Sequence, residues 1–286
     1  MDAVKPLTGK VAVVAGGTRG AGRGIAAMLG EAGATVYVTG RSTRGNLSDY
    51  GRTETIEETA ELVNAYGGIG IPVRVDHTKE DEVKALFERI KREQNGQLDI
   101  LINDVWGGDP LTQWHTPFWK HHLQNGLLMQ QRAVQSHIIT NHYGIPLMIE
   151  RNQGLVIEIT DGMDYSYRGN LYYSLAKISV IHLAQAMAED FRKNNIHITA
   201  LALTPGYLRS EAMLDSFGVS EENWQDAIEQ DPNFANSETP YYVGRAVAAL
   251  ASDPNVAEKA GKVLSSGWLA REYGFTDIDG RLPRGY

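Results

Sequence analysis

The sequence predicts a doubly wound α/β architecture: one mostly parallel sheet of about seven strands with helices on both faces, in a single domain. Three observations predict it. Short apolar, β-branched runs alternate with helix-period segments along almost the whole chain. A glycine cluster follows the first of those runs and opens the first helical segment. The 286 residues suit one large α/β domain, and no linker or internal repeat divides them.

Val11–Ala15, between Lys10 and the glycines, is the uninterrupted apolar run of a strand covered on both faces. Ala21–Gly33 reads as a helix and Thr35–Thr39 as a second, β-branched strand. Glu54–Tyr66 is helical, Ile71–Val75 is a strand and Glu80–Glu93 is an amphipathic helix. Leu98–Ile102 gives a fourth strand, followed by a long helical region from about His121 to Ile149. Leu155–Thr160, the helix Tyr172–Lys193 and Ile196–Leu203 repeat the unit, and Val263–Ser265 ends the sheet. Two segments break the rhythm. Arg41–Arg52 is polar and glycine-containing, a long loop. Glu211–Pro240 carries Met213, Leu214, Phe217, Trp224 and Phe234 among many acids. Long inserts in compact domains are often lids, so it reads as a substrate cover at about 211–240; the plainer alternative is a surface helical hairpin with a packed apolar face.

Composition removes several functions. A formal net charge of -8 and the lack of a basic stripe argue against nucleic acid. Lys84 to Arg92 alternates with acids, as a solvated helix face does. Without cysteine there are no disulfides, thiolate nucleophiles or Cys-based zinc sites. The eight histidines lack HExxH spacing, and adjacent His121 and His122 point about 100° apart on a helix, so no metal is expected. The stretch from Met1 to Pro6 lacks the apolar core of a signal peptide, and no apolar run approaches the ~20 residues that span a bilayer. The expectation is a cytoplasmic protein without membrane contact.

The glycine cluster carries the first chemistry. Gly16-Gly17-Thr18-Arg19-Gly20-Ala21-Gly22 follows the first strand in a G-x-x-x-G-x-G pattern. Small residues there let the backbone turn sharply and approach a pyrophosphate on the positive end of the following helix. Placed between a first strand and a first helix, the pattern indicates a Rossmann-type dinucleotide site. The second strand ends at Gly40-Arg41-Ser42, where an NAD site places an acid for the ribose 2′-hydroxyl. Arg41, with Arg19 in the glycine loop, suits a 2′-phosphate instead, so the expected cofactor is NADP(H).

Tyr173 and Lys177 lie at i and i+4 and share one helical face. A free tyrosine titrates near ~10, too high for acid–base work at neutrality, and a neighbouring ammonium lowers that value. Tyr173 can then give a proton to a carbonyl oxygen or take one from an alcohol. Tyr172 has Ala176 at i+4 and lacks this partner.

With these motifs in order, the sequence resembles the short-chain dehydrogenase/reductase family over nearly its whole length. Asp76-His77 after the third strand, Asn103-Asp104-Val105 at the end of the fourth, Tyr173-x-x-x-Lys177, and Pro205-Gly206 with Ser210 four residues on all match its motif order. The resemblance implies that Asp76 sits by the adenine, with His77 beside it. It implies that Asn103 borders the cofactor and that Pro205-Gly206 holds the nicotinamide. It gives Lys177 the nicotinamide ribose and Asn125 the water-holding place on a kinked helix, with Gly126 supplying the irregularity. One departure stands out: counting back from Tyr173, Asp161 occupies the place of the family's catalytic serine, with Thr160 before it. An anionic Asp161 would repel the oxyanion of carbonyl reduction. Asp161 is therefore protonated, or Thr160 supplies the hydrogen bond, or the substrate is not an ordinary ketone.

The leading expectation is an NADP(H)-dependent oxidoreductase moving a hydride between nicotinamide and a small to medium carbonyl/alcohol substrate. The alternatives are an imine or iminium reductase and a non-catalytic NADP-binding sensor or scaffold. The resemblance also implies a homodimer or homotetramer formed through the helices after the fourth and fifth strands. The second of these carries Ile178, Ile181, Ala184 and Ala188, which could face either the sheet or a partner.

Overall fold

The computed structural model describes residues 5–49 and 51–285. Most of the N-terminal stretch read above, and position 50 in the 41–52 loop, lie outside the described residues. The described residues form one seven-stranded parallel sheet in the order β3-β2-β1-β4-β5-β6-β7. The strands are β1 Val11–Ala15, β2 Thr35–Gly40, β3 Ile69–Arg74, β4 Ile100–Asn103, β5 Gly154–Ile159, β6 Ile198–Thr204 and β7 Val263–Ser265. Parallel neighbours need crossovers. These are supplied by α1 Gly20–Glu31, α2 Ile56–Ala65, α3 Glu80–Glu93, α4 Leu123–Gln130 with α5 Ser136–Arg151, α6 Leu171–Lys193, and α7 Glu211–Phe217 with α8 Pro240–Ser252; α9 Ser266–Tyr273 follows β7.

The side-chain alternation of each strand divides the molecule into two cores. Ala12 and Val14 of β1 face one side, with Ile25 and Leu29 of α1, Val63 of α2, and Val243 and Val247 of α8. Val11 and Val13 face the other, with Leu86, Phe87 and Ile90 of α3, Met148 of α5 and Phe191 of α6. This explains why β1 reads as a continuous apolar run: neither face meets water. β3 is the edge strand and tolerates Pro72, opposite Val38. On α6, Ile181 and Ala184 are buried together with Ala202 of β6 and belong to the sheet side. Ala188 packs, partly buried, on the second core.

The long helical region runs without a gap from Leu123 to Arg151, but it is not uniformly α-helical. A single 3₁₀ turn, Phe118–Lys120, precedes α4, and a π-helical turn, Gln131–Gln135, joins α4 to α5. The irregularity therefore falls after Gly126, not at it. Gly126 has a different reason: a Cβ there would lie 2.2 Å from the Tyr172 ring of α6. π turns widen a helix by one residue and recur at functional sites. Here Gln131 and Arg132 face the large cleft.

The 211–240 insert contains α7, the 3₁₀ turns Trp224–Glu229 and Pro232–Asn236, and its own apolar cluster of Leu214, Trp224, Ala227 and Phe234. The guanidiniums of Arg209 and Arg281 each lie 4.3 Å from the Trp224 ring. Arg209 also pairs with Glu221 and Asp279, which ties the insert to the C-terminal segment. No helix among the described residues is long and apolar enough to cross a membrane.

Candidate active site

A cleft of about 1230 Å³ runs along the C-terminal ends of the strands. The strand order reverses at β1, between β2 and β4, the crevice where open α/β sheets bind ligands. Its walls include Gly16 and Thr18 to Ala21 from the glycine turn, Arg41 and Ser42 beyond β2, Asp76 and His77 beyond β3, and Asp104 to Gly107 beyond β4. Thr160 and Asp161 beyond β5, Tyr173 and Lys177 of α6, and Pro205 and Gly206 beyond β6 complete them.

The cofactor end fits a dinucleotide. Gly16 adopts φ +86°, and a Cβ there would lie 2.5 Å from the Asp104 carbonyl oxygen, so only glycine lets the turn pass. Gly22 does not line the cleft. A Cβ on it would lie 2.3 Å from the Gly16 carbonyl oxygen, so it closes α1 against the turn. At the head of α1 the Gly20 N–H donates to Glu211 Oε2 at 2.8 Å. A carboxylate of the chain itself thus occupies a position suited to a pyrophosphate oxygen.

At the ribose end the guanidiniums already have anionic partners. Arg19 pairs with Glu54 at 3.2 Å and donates to Ser42 Oγ at 3.3 Å. Arg41 pairs with Asp49 at 2.8 Å, and Arg132 also holds Asp49. Burial raises the Asp49 carboxyl, but Arg132 and Arg41 outweigh it and keep it below its ordinary range. Glu54 behaves alike: burial raises it, while Arg52 and Arg19 bring it down overall. At Gly40 a Cβ would lie 2.3 Å from Thr18 Oγ1, so a side chain at this position would have to displace the Thr18 hydroxyl.

Asp76 is fixed by its turn, with Oδ1 accepting the Thr78 N–H at 3.0 Å and the Thr78 hydroxyl at 2.7 Å. His77 is buried between Thr39 Oγ1 at 2.7 Å and Thr140 Oγ1 at 2.8 Å. Burial pushes its pKa down to about 3, so it is a neutral strut.

At the reaction end, Asn170 caps α6 by accepting the Tyr173 N–H at 3.0 Å, which seats Tyr173 in the first turn. The Tyr173 hydroxyl donates to Asp161 Oδ2 at 2.8 Å. Thr160 is buried and gives its hydroxyl hydrogen to the Lys177 carbonyl at 2.8 Å. Of the two candidates for the serine's place, Asp161 therefore faces the tyrosine. Lys177 Nζ lies 4.4 Å from the Trp106 ring centroid and 5.6 Å from that of Tyr173. Trp106 and Trp114 meet the Tyr173 ring at centroid distances of 5.2 and 5.1 Å.

Besides Gly22, two expected residues are elsewhere. Asn125 does not line the cleft; Leu128, Gln131 and Arg132 do, one to two turns further along. Asn103 is fully buried, and its Nδ2 donates to Asn141 Oδ1 and Glu158 Oε1, both at 2.8 Å. It is a strand-end residue opposite Glu158 in the sheet register, so it braces the sheet and not the cleft surface.

Several contributors escape sequence reading. Trp106 directly follows the Asn103-Asp104-Val105 motif and could have been suspected there. Burial raises the Asp104 carboxyl to about 7, although Lys177 and a hydrogen bond from the Gly22 N–H act against it. Buried Glu238 accepts from Gly206 N–H at 2.9 Å and from Ser266 Oγ at 2.6 Å, and burial raises it to about 8. Glu211, Gln131 and Glu238 have no local sequence signature. Among the described residues, no cluster of three or more His, Asp or Glu could hold a metal ion.

Comparison with known proteins agrees with this geometry. The family described as short chain dehydrogenase matches residues 10–217. Dehydrogenase/reductase SDR family member 1 of Mus musculus is 35% identical over 99% of this chain and 88% of its own length. The Homo sapiens protein of that name is 35% identical over 98% and 87%. The crystal structure of a short chain dehydrogenase from Mycobacterium thermoresistibile superposes with a TM-score of 0.78 at 21% identity, covering 97% of this chain and 94% of that one.

Proposed function

The chain belongs to the short-chain dehydrogenase/reductase family, whose oxidoreductases use a nicotinamide cofactor, and from that premise we propose that it transfers a hydride between NADP(H) and a small to medium carbonyl/alcohol substrate. The observation that carries the reading is that Tyr173 and Lys177 share one cleft with the glycine turn and with Arg19 and Arg41.

The chain's residues divide the work. The backbone from Gly16 to Ala21 and the head of α1 would receive the pyrophosphate once Glu211 gives way. Arg19, Arg41 and Ser42 would hold the 2′-phosphate, exchanging the carboxylates of Glu54 and Asp49 for a doubly charged group. Gly40 supports that choice, because the acid of an NAD site is missing there and the Thr18 hydroxyl packs over the position. When bound, the nicotinamide supplies or accepts the hydride. Tyr173 moves the proton at its hydroxyl oxygen, and the Lys177 ammonium favours the phenolate that forms when the proton leaves. Ala212, Met213, Pro232 and Asn233 of the insert line the same cleft, which supports the insert as a cover that excludes water. Exposed Leu127, Ile138, Ile149 and Leu175 on α4, α5 and α6 support a homodimer or homotetramer through those helices.

The test is a fluorescence titration with NADPH and NADH on wild type and Arg41→Ala, followed by turnover of Tyr173→Phe. A charge-assisted phosphate contact contributes about 1.5–3 kcal/mol, part of it spent releasing Asp49, so NADPH should bind at least about tenfold more tightly than NADH. Arg41→Ala should narrow the gap. Tyr173→Phe should keep NADPH affinity and lose nearly all turnover. Equal affinity for the two nucleotides would sink the cofactor assignment.

A further inference from the structure

Resting on the hydride-transfer reading above, the inference concerns the charge the substrate brings. Reduction of a neutral ketone develops negative charge on oxygen, and sites suited to it aim hydrogen-bond donors at that atom. The donors at the end of β5 are directed elsewhere. Thr160 donates to the Lys177 carbonyl, and the Gly162 N–H donates to Thr204 Oγ1 at 3.0 Å. At the serine's place stands Asp161, which takes the Tyr173 hydrogen at 2.8 Å and, ionised, only accepts. The surrounding wall is aromatic. Trp106 lines the cleft and already holds an ammonium, that of Lys177, at 4.4 Å from its ring centroid, while Trp114 backs the Tyr173 ring at 5.1 Å without lining the cleft. A carboxylate that shares a cleft wall with an indole is recognition chemistry for an organic cation.

We propose that the site takes a substrate carrying a cationic nitrogen at the reacting carbon or one or two bonds from it, with Asp161 as the specificity-determining residue and Trp106 in the wall. Two sources of that charge satisfy the geometry. In an iminium, the hydride adds to carbon and the C=N π pair becomes the nitrogen lone pair. Iminium and NADPH give amine and NADP⁺ without a proton from Tyr173. In an α-ammonium ketone, the hydride adds to the carbonyl carbon, and the π pair moves to oxygen, which takes the Tyr173 proton; solvent then reprotonates Tyr173. The ammonium neutralises Asp161 beside the developing alkoxide, where the bare carboxylate would oppose it.

The experiment uses NADPH-loaded wild type, Asp161→Asn and Asp161→Ser. Four substrates form two pairs: α-aminoacetophenone against its neutral isostere propiophenone, and N-methyl-3,4-dihydroisoquinolinium against 1-tetralone. Binding of benzyltrimethylammonium, read by tryptophan fluorescence, is measured against neutral neopentylbenzene. Wild type should prefer the cationic member of at least one pair by about tenfold or more in kcat/KM, and which pair identifies the source of the charge. Asp161→Asn, of equal size and still able to accept from Tyr173, should erase the preference and weaken benzyltrimethylammonium about tenfold. Asp161→Ser should speed propiophenone reduction while slowing the cation. Equal use of both members of each pair, unchanged in Asp161→Asn, overturns the inference and leaves hydride transfer standing. Asp161-dependent cation binding without turnover of any compound supports cation recognition by Asp161 but overturns its use in a substrate, and counts against the hydride-transfer reading. Unchanged NADPH affinity and circular dichroism confirm that the variants fold.

Discussion

Glu238 offers a measurement in which the buried chemistry beneath the cleft reports on itself. Its carboxyl lies at the start of α8, buried, with Oε2 accepting from Gly206 N–H and Ser266 Oγ. Oε1 is buried without a hydrogen-bond partner. Burial is the largest influence and raises its pKa from 4.5 to about 8, against the opposing hydrogen bonds and Arg209. Between those values the native state keeps a proton that the unfolded chain has released. Stability contributed by this group is therefore complete at low pH and is lost as pH rises toward 8.

Each pH unit in that window costs about 1.4 kcal/mol, so the rise from pH 5 to pH 8 costs on the order of 4 kcal/mol. The perturbation is Glu238→Gln, which keeps the shape and the acceptor for Gly206 and Ser266 but cannot ionise. Specific unfolding entropies put a chain of this size near about 0.6 kcal/mol per kelvin, so 4 kcal/mol is roughly 7 °C in Tm. The assay is thermal unfolding of both proteins, by circular dichroism, at half-unit steps from pH 5 to pH 8.5. The variant should start near wild type at pH 5 and gain on it steadily, levelling off near pH 8. Parallel Tm curves across the range would refute the buried, proton-retaining carboxyl.

Asp104→Asn should show a smaller effect of the same sign. Its carboxyl is raised to about 7 by burial, yet the residue lines the cleft and keeps partial access to water. About half of the full linkage, on the order of 1.5 kcal/mol between pH 5 and pH 8, is expected in the same Tm series, and a flat difference would refute it. Glu211→Gln should tighten NADPH by roughly two- to tenfold at low salt, because it removes the charge that competes for the head of α1. Fluorescence titration checks this, and unchanged or weaker binding would remove Glu211 from the pyrophosphate site.

What the sequence made legible was whatever local periodicity decides. Val11–Ala15, Glu80–Glu93 and Val263–Ser265 have the bounds their patterns suggest, and the remaining strands differ by one or two residues at their ends. What it concealed depended on contacts between distant elements. The π turn between α4 and α5 follows no local breaker; Pro146 lies within α5 itself. Asn125 owes its expected place to the family resemblance, but helix phase cannot be carried across a π turn that the sequence does not announce. Asn103 and Asp104 are adjacent and therefore face opposite ways at a strand end, one toward Glu158 and one toward α1. The acids that hold Arg19 and Arg41 come from the 41–52 loop and the residues just beyond it, where no periodicity exists to read.

The acids around the cleft share a physical logic: each fixes a loop tip that a strand alone would leave free. Glu158 is fully buried in β5. Its Oε1 accepts from Asn103 at 2.8 Å and Asn141 at 2.7 Å, and its Oε2 meets His137 Nδ1 at 2.6 Å. His137 Nε2 lies 3.0 Å from the Val105 carbonyl, which only accepts, so Nε2 carries a hydrogen. That leaves one proton between Nδ1 and Oε2, whichever atom bears it, and the ring cannot turn without breaking both bonds. Val105 is thereby held from behind, and Trp106, the next residue, is presented to Lys177 and Tyr173 from the front. Glu238, a proton-retaining carboxyl with Oε1 unpaired, accepts from Gly206 N–H, and partly exposed Asp161 accepts from the Tyr173 hydroxyl. Buried carboxylates are costly unless fully paired, and pairing of this kind converts their cost into position. The geometry at Tyr173 therefore depends on residues one layer below the cleft surface as much as on those that line it.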